Sequence, residues 1–327
     1  MIDIFNIEPS VVSRDLSEKS FLIYGDKKSG KTSNAVKFPQ TFLAGFEKGW
    51  NAISGVKAVP INKWSEWKQI IKSLQTPKAL ETYKTVIMDT ADLAYDLCVK
   101  FICMSEGVSH LDETTNKRGY KMAEKEFEST IIDLIKYGYT FVAISHAETK
   151  TMKDEKGEQY ERIQPTIDKR GLKVISRTVD IIGYSKVTDM EDGSKKTYLL
   201  MRGSQYYEAG SRFKYTPDYI EFTHENLLNC IADAIEKQEK EDGSTVVETK
   251  KSLHVEREEQ DFDEIMTQVG EICGRIVEKD EKNAKKITKV VEKHLGKGKK
   301  VSECDESQVD IVVLVYDDLK ELAEQIL

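Results

Sequence analysis

The sequence predicts an α/β chain: a mainly parallel central sheet that ends in antiparallel strands, followed by a small helical region. Three observations carry this expectation. Short, near-continuously apolar runs alternate with helical patterns through the first part of the chain, as strands buried on both faces require. Two later pairs of runs flank short polar turns and read as hairpins. Beyond Pro217, the last of six prolines, aromatics become sparse while Glu and Lys recur at helical spacing.

The expected parallel strands are Ser20–Tyr24, Gln40–Ala44, Val56–Ile61, Lys84–Met88 and Thr140–Ser145, with helices near Lys63–Leu74, Ala91–Ser105 and Met122–Tyr137. After Ser145, Glu148–Lys153 and Glu158–Ile163 flank Asp154-Glu155-Lys156-Gly157. Val179–Val187 and Lys196–Arg202 flank Asp189–Gly193 in the same way. Residues 1–235 form the expected core. Residues 236–264 hold 11 acidic and 5 basic residues and little apolar content, which reads as a helix end and then a flexible linker. Residues 265–327 read as two or three amphipathic helices. Their repeating apolar positions include Ile265, Val269, Ile272 and Ile276, then Val291, then Ile311, Leu314, Val315 and Leu319. Nine lysines in 279–300 precede eight acidic residues in 301–327. A solvated charged bundle explains this pattern, and so does a basic helix that touches nucleic acid or a partner.

The 327 residues carry a net charge of -8 and a mean hydropathy of -0.49. A generally basic DNA coat is therefore not expected, although local basic patches stay compatible with nucleic acid. No apolar run approaches the ~20 residues that span a bilayer. The first residues lack a basic stretch followed by an apolar one, so no signal peptide, no membrane partner and a cytoplasmic location are expected. The five cysteines are odd in number and form no C-x-x-C pair, which suits reduced thiols better than disulfides or zinc.

The strongest local signal is Gly25-Asp26-Lys27-Lys28-Ser29-Gly30-Lys31-Thr32, a full match to G-x-x-x-x-G-K-[ST]. Glycines let such a loop curl until successive N–H groups converge on phosphate oxygens. Lys31 is placed to meet the β- and γ-phosphates of ATP, and the Thr32 hydroxyl can ligate Mg²⁺. The apolar run Phe21-Leu22-Ile23-Tyr24 precedes the loop. A helix start follows it at Thr32-Ser33, whose N-terminal dipole would add to anion binding. Residues Gly25 to Ser33 are thus the candidate nucleotide cradle. Thr85-Val86-Ile87-Met88-Asp89 is an apolar strand ending in a carboxylate, which can hold Mg²⁺ through water opposite the loop. Asp89 and Thr90 also suit a helix N-cap, and the two roles are compatible.

On four features, YGDKKSGKTS, FLAGFEKG, TVIMDTAD and FVAISHAE, with MRGSQYYEAGSRF as a weaker fifth, residues 15–225 resemble a RecA-like P-loop ATPase. More narrowly, they resemble phage-encoded ATP-binding recombination proteins that work with single-strand annealing systems. The resemblance implies ATP and Mg²⁺ as cofactors and single-stranded DNA as a partner in recombination or replication. It also implies an oligomer or filament, a companion annealing or single-strand binding protein, and an infected bacterial cell as the setting. By position it makes Glu47 the carboxylate that orients or deprotonates the attacking water, although the strand here ends AGFEKG rather than in an acidic pair. It makes His146 the group that senses the γ-phosphate. Arg212, rather than Arg202, becomes an arginine finger for a neighbouring subunit. It places DNA on two long loops, Gly107–Lys121 and Ala147–Arg170. Their basic residues Lys117, Arg118, Lys121, Lys150, Lys153, Arg162, Lys169 and Arg170 are interleaved with Tyr120, Tyr160 and several carboxylates. Two other functions fit the same phosphate loop: a phosphotransferase acting on a small molecule, and a nucleotide-switched loader or scaffold with little turnover.

Overall fold

Strands that are apolar on both faces need cover on both sides. The computed structural model, which describes residues 12–14, 16, 19–243, 245–247 and 261–326, supplies it. A short strand β1 (Val12–Ser13) precedes the main sheet. That sheet draws on β2 (Ser20–Gly25), β3 (Thr41–Gly45), β4 (Ala58–Pro60), β5 (Thr85–Asp89) and β6 (Thr140–Lys153). It is extended by β7 (Gln159–Pro165), β8 (Ile181–Asp189), β9 (Lys195–Leu200), β10 (Gly210–Ser211) and β11 (Tyr219–Glu221). The helices around it are α1 (Lys31–Ala35), α2 (Trp64–Leu74), α3 (Pro77–Thr82), α4 (Ala91–Glu106), α5 (Arg118–Lys136), α6 (Lys169–Thr178) and α7 (His224–Asp242).

The strand order is β11-β9-β8-β2-β6-β5-β3-β4, with β10 on β8 and β7 on β6. Strands β4, β3, β5, β6, β2 and β8 are mutually parallel, whereas β9, β10, β11 and β7 join antiparallel. This is the expected RecA-like P-loop fold. The strand that feeds the phosphate loop is central, and β6 stands between it and the strand that ends in Asp89. Alternation along β2 shows how the sheet is covered. Leu22 packs with Trp64, Trp67, Tyr95 and Phe127 of α2, α4 and α5. Phe21 and Ile23 pack on the other side with Ala35, Leu227 and Ile231 of α1 and α7. Burial of both faces is why these strands read as apolar runs rather than as alternating ones.

Several expectations need correction. Gly107–Lys121 is not an open loop. Two 3₁₀ turns, Leu111–Glu113 and Thr115–Lys117, occupy it, and α5 begins at Arg118. Buried Thr114 anchors the segment by accepting the Gly119 N–H at 2.8 Å and donating to the Leu111 carbonyl at 2.6 Å. Nor is Ala147–Arg170 a loop. β6 runs on unbroken to Lys153 and returns as β7 in register Lys150 to Arg162, so the tip is the expected hairpin at 154–157. Lys169 and Arg170 open α6, whose N-cap Asp168 accepts the Arg170 N–H. Helix α1 is only five residues long and ends in a turn in which the Phe38 N–H donates to the Ala35 carbonyl, just before Pro39. Its dipole is correspondingly small.

The described residues fall into two compact units, one within Pro9–His254 and the other within Val255–Leu327. Strand β12 (Val246–Val247) pairs parallel with β1 and α7 reaches Asp242, so the segment expected as a linker is ordered at its start. Most of its remainder, 248–260, lies outside the described residues. The second unit holds three helices, α8 (Phe262–Lys279), α9 (Ala284–Leu295) and α10 (Val309–Ile326). Ile265, Val269, Ile272 and Ile276 are buried as expected. In α10 the buried stripe is Val312, Val315, Leu319 and Ala323; Ile311 and Leu314 lie off it and are 36% and 51% exposed. Among the described residues no helix is long and apolar enough to cross a membrane.

Candidate nucleotide site

Parallel strands end at one edge of a sheet, and the register brings the candidate residues to that edge. Gly25 stands opposite His146 on β6 and Ser185 on β8, while Asp89 stands opposite Gly45. The loop after β2 then turns at Lys28 (φ 64°) and Gly30 (φ 79°). Glycine is required at position 25 for space. A β-carbon there would lie 2.2 Å from the Ser185 carbonyl oxygen.

Around this edge lies a cavity of about 490 Å³, lined by Lys27–Ser33 together with Glu47, Asp89 and His146. Gly25 and Asp26 contribute carbonyls: buried Lys31 donates its Nζ to Gly25 O at 2.9 Å and to Asp26 O at 2.7 Å. Burial lowers the Lys31 pKa, and the carboxylates of Asp89 and Asp26 oppose that shift. A phosphate would replace those two carbonyls with a full negative charge, so the same lysine that closes the loop on itself is preset to bind an anion.

Thr32 Oγ1 donates to Asp89 Oδ2 at 3.0 Å. Asp89 is 3% exposed, and burial raises its pKa to about 6; the Thr32 hydrogen bond and Lys31 pull down while Glu47 pushes further up. A buried carboxylate carrying this penalty is stabilised by a cation. One hydroxyl and one carboxylate are hard oxygen donors too few to enclose an ion, which suits Mg²⁺ that keeps waters and takes phosphate oxygens as ligands. Among the described residues no group of three or more His, Cys, Asp or Glu could hold a metal by itself. Thr32 and Asp89 would hold Mg²⁺, whose part is to neutralise charge on the β- and γ-phosphate oxygens.

Glu47 follows β3, and its backbone N–H donates to the Asp89 carbonyl at 3.0 Å, which ties the two carboxylate-bearing segments together. Its side chain meets His146 Nε2 at 2.9 Å. An ionised carboxylate accepts, so Nε2–H donates, leaving Nδ1 buried and without a partner. His146, expected to sense the γ-phosphate, therefore contacts Glu47 instead, through Nε2. Reaching a γ-phosphate with Nε2 would release Glu47.

The remaining candidates lie apart from this pocket. Arg212 pairs with Asp180 at 3.1 Å and donates to the Arg177 carbonyl. Asp180 in turn binds the N–H of Ser20, the first residue of β2, so Arg212 sits at the end of that strand remote from the phosphate loop. Arg202 donates to the carbonyls of Phe213, Lys214 and Thr216 and clamps its own loop. Four of the proposed DNA contacts are engaged: Arg118 with Glu106, Lys150 with Glu148, Arg162 with Glu208 and Arg170 with Glu124. Lys117, Lys121, Lys153 and Lys169 are exposed.

Sequence reasoning missed Ser185, which donates to Ser29 O at 3.1 Å and lies equally close to its hydroxyl, bracing the phosphate loop from β8. The signal was present: Ser185 is a polar residue inside the apolar run IIGYSKV. Also missed was Asp92, in the first turn of α4, which accepts from Ser145 at 2.9 Å and from Thr166, and so ties the root of the β6–β7 hairpin to that helix. Gly49, Ala52 and Ile53 line the cavity from the turn after Glu47.

The AAA domain family matches residues 17–213. The SPbeta prophage-derived uncharacterized protein YorG of Bacillus subtilis (strain 168) is 36% identical over 329 residues, covering 98% of each chain. A KaiC-like protein of Pyrococcus horikoshii OT3 has a solved structure that aligns with a TM-score of 0.35 and 12% identity, over 58% of this chain and 80% of that one. That likeness is slight, and the fold assignment rests on the strand order.

Proposed function

The chain belongs to the AAA domain family, and we propose that it hydrolyses ATP while acting on single-stranded DNA in phage recombination or replication, as an oligomer or filament. The observation that supports the hydrolytic part is convergence. Lys31, Thr32, Asp89, Glu47 and His146, from four separate segments, meet around one cavity. Lys31 and the loop N–H groups hold the phosphates. Glu47 orients the attacking water and accepts its proton, at a typical gain of about 10²–10⁴ in rate. The prophage source named for the 36% identical relative supports a phage setting in a bacterial cytoplasm. A single-strand annealing or binding protein would be the companion.

The DNA part rests on continuity along β6. His146 lies within the strand that goes on as the basic arm of the hairpin, and its carbonyl accepts the Thr166 N–H at 3.0 Å where the other arm ends. A change of partner at His146, from Glu47 to phosphate, is therefore applied at the root of the hairpin. Nucleotide and strand would then be coupled reciprocally, by a factor of about 5–150 in affinity. Fluorescence anisotropy of a labelled single strand, with a non-hydrolysable ATP analogue and with ADP, tests this. Tighter binding with the analogue, flattened by His146→Ala, is expected. Equal affinity in both states would remove the DNA reading and leave the phosphate pocket standing.

A further inference from the structure

In the helical unit, α9 carries a stripe of lysines that carboxylates of the unit pair only in part. In α9, Lys285, Lys286, Lys289 and Lys293 fall within about 100° of the helix circumference, on the side away from buried Val291. All four are exposed. Asp318 holds Lys293 at 2.6 Å, but among the described residues no carboxylate pairs with Lys285, Lys286 or Lys289. The turn after the helix adds Lys297, Lys299 and Lys300, which are exposed and have no carboxylate partner among the described residues. Glu292, the single carboxylate of α9, borders the stripe beside Lys285 and accepts the Gly298 N–H at 2.8 Å. Like charges four residues apart on a helix destabilise it. The sequence thus maintains α9 against its own repulsion, and an anionic partner would remove that repulsion.

We infer that this lysine surface binds the phosphate backbone of nucleic acid. The stripe repeats its charge about every 6 Å along the axis, a linear array that a linear polyanion can follow. Lysines are point charges without the planar fork that reads a base edge or clamps one carboxylate, so they suit contact that tolerates any sequence. A helix that lies on a membrane needs an apolar face to bury in it. In α9 that face, Ile287, Val290, Val291 and Leu295, is already packed within the bundle. The surface is distinct from the hairpin and lies outside residues 17–213 matched by the AAA domain, so the inference stands on its own charges.

The test titrates a labelled oligothymidylate with the full chain, free of nucleotide, over a salt series, comparing wild type with the triple variant Lys285→Ala, Lys286→Ala, Lys289→Ala. Each phosphate contact to a single strand contributes about 0.7 to the slope of log K against log salt, so the triple variant should flatten that slope by about 2 and bind about 100-fold more weakly at 0.1 M salt. The corresponding triple Lys→Arg variant, which keeps the charge, should retain the wild-type slope. Equal slopes and affinities for wild type and the triple Ala variant would overturn the inference, and would leave a hairpin contact untouched. Failure of the wild type to bind the oligonucleotide would overturn it as well. Binding of phosphatidylserine vesicles in preference to the oligonucleotide, lost in the triple Ala variant, would replace nucleic acid with a membrane surface. Competition by polyglutamate as strong per charge as by the oligonucleotide would reduce the surface to a general anion sink.

Discussion

Asp89→Asn should stabilise the metal-free, nucleotide-free protein while destroying its function. Asp89 is 3% exposed and titrates at about 6 in the folded chain, against an ordinary value of 3.8. Between those values the folded state holds a proton that the unfolded state has released. Stability therefore falls as pH rises through this window, and the full cost remains above the folded value. A difference of about two pH units corresponds to about 3 kcal/mol. Asparagine carries no such cost, and its carbonyl can still accept the Thr32 hydroxyl. At pH 7.5 in a chelator the variant should be more stable by up to about 3 kcal/mol, or roughly 6–12 °C in Tm for a unit of this size. At pH 4 the advantage should vanish. Thermal melts followed by tryptophan fluorescence suit this test, because Trp50, Trp64 and Trp67 all lie in the ATPase unit. Adding Mg²⁺ and an ATP analogue should reverse the order, since only the wild type offers the cation a carboxylate. A variant no more stable than wild type at pH 7.5, or equally advantaged at pH 4, would show that the buried carboxylate carries no such cost.

Three further substitutions separate the parts of the site. Lys31→Ala should abolish hydrolysis with an unchanged circular dichroism spectrum, because the side chain serves only the phosphate loop; turnover near the wild-type rate would contradict the loop's role. Glu47→Gln should keep nucleotide affinity, measured by calorimetry, while slowing hydrolysis by about 10²–10⁴. Gly25→Ala puts a methyl group 2.2 Å from the Ser185 carbonyl oxygen and should cost about 1–3 kcal/mol in urea melts, along with nucleotide binding.

How much of this was legible in the chain depends on how local each signal was. The phosphate loop and Asp89 are set by adjacent residues: an apolar strand, a glycine-rich turn and a carboxylate at a strand end. Continuous apolar runs announced a doubly covered sheet, and the alternation of Phe21 and Ile23 against Leu22 fills both cores. What stayed hidden depends on distant partners. Gly107–Lys121 looks polar and loop-like until Thr114 and Leu111 are seen buried against α5. Arg118, Arg162 and Arg170 look like free cations until Glu106, Glu208 and Glu124, from 12 to 46 residues away, are brought against them. Helix α10 is apolar on more than one side, so its periodicity alone could not tell Val312 from Ile311; packing against α8 decides. The bracing of Ser29 by Ser185 spans 156 residues and has no local signature beyond a polar residue in an apolar strand.

The pocket at the ends of β2 and β5, beside His146 of β6, is proposed to turn over ATP in response to a nucleic acid strand. The most direct measurement is the steady-state rate of phosphate release with and without saturating single-stranded DNA, at constant Mg²⁺ and salt, with Lys31→Ala as the blank. Hydrolysis in the wild type should rise when the strand is added, and the blank should show none. A rate that ignores single-stranded DNA would contradict the claim, and phosphate appearing on a small-molecule acceptor would replace it.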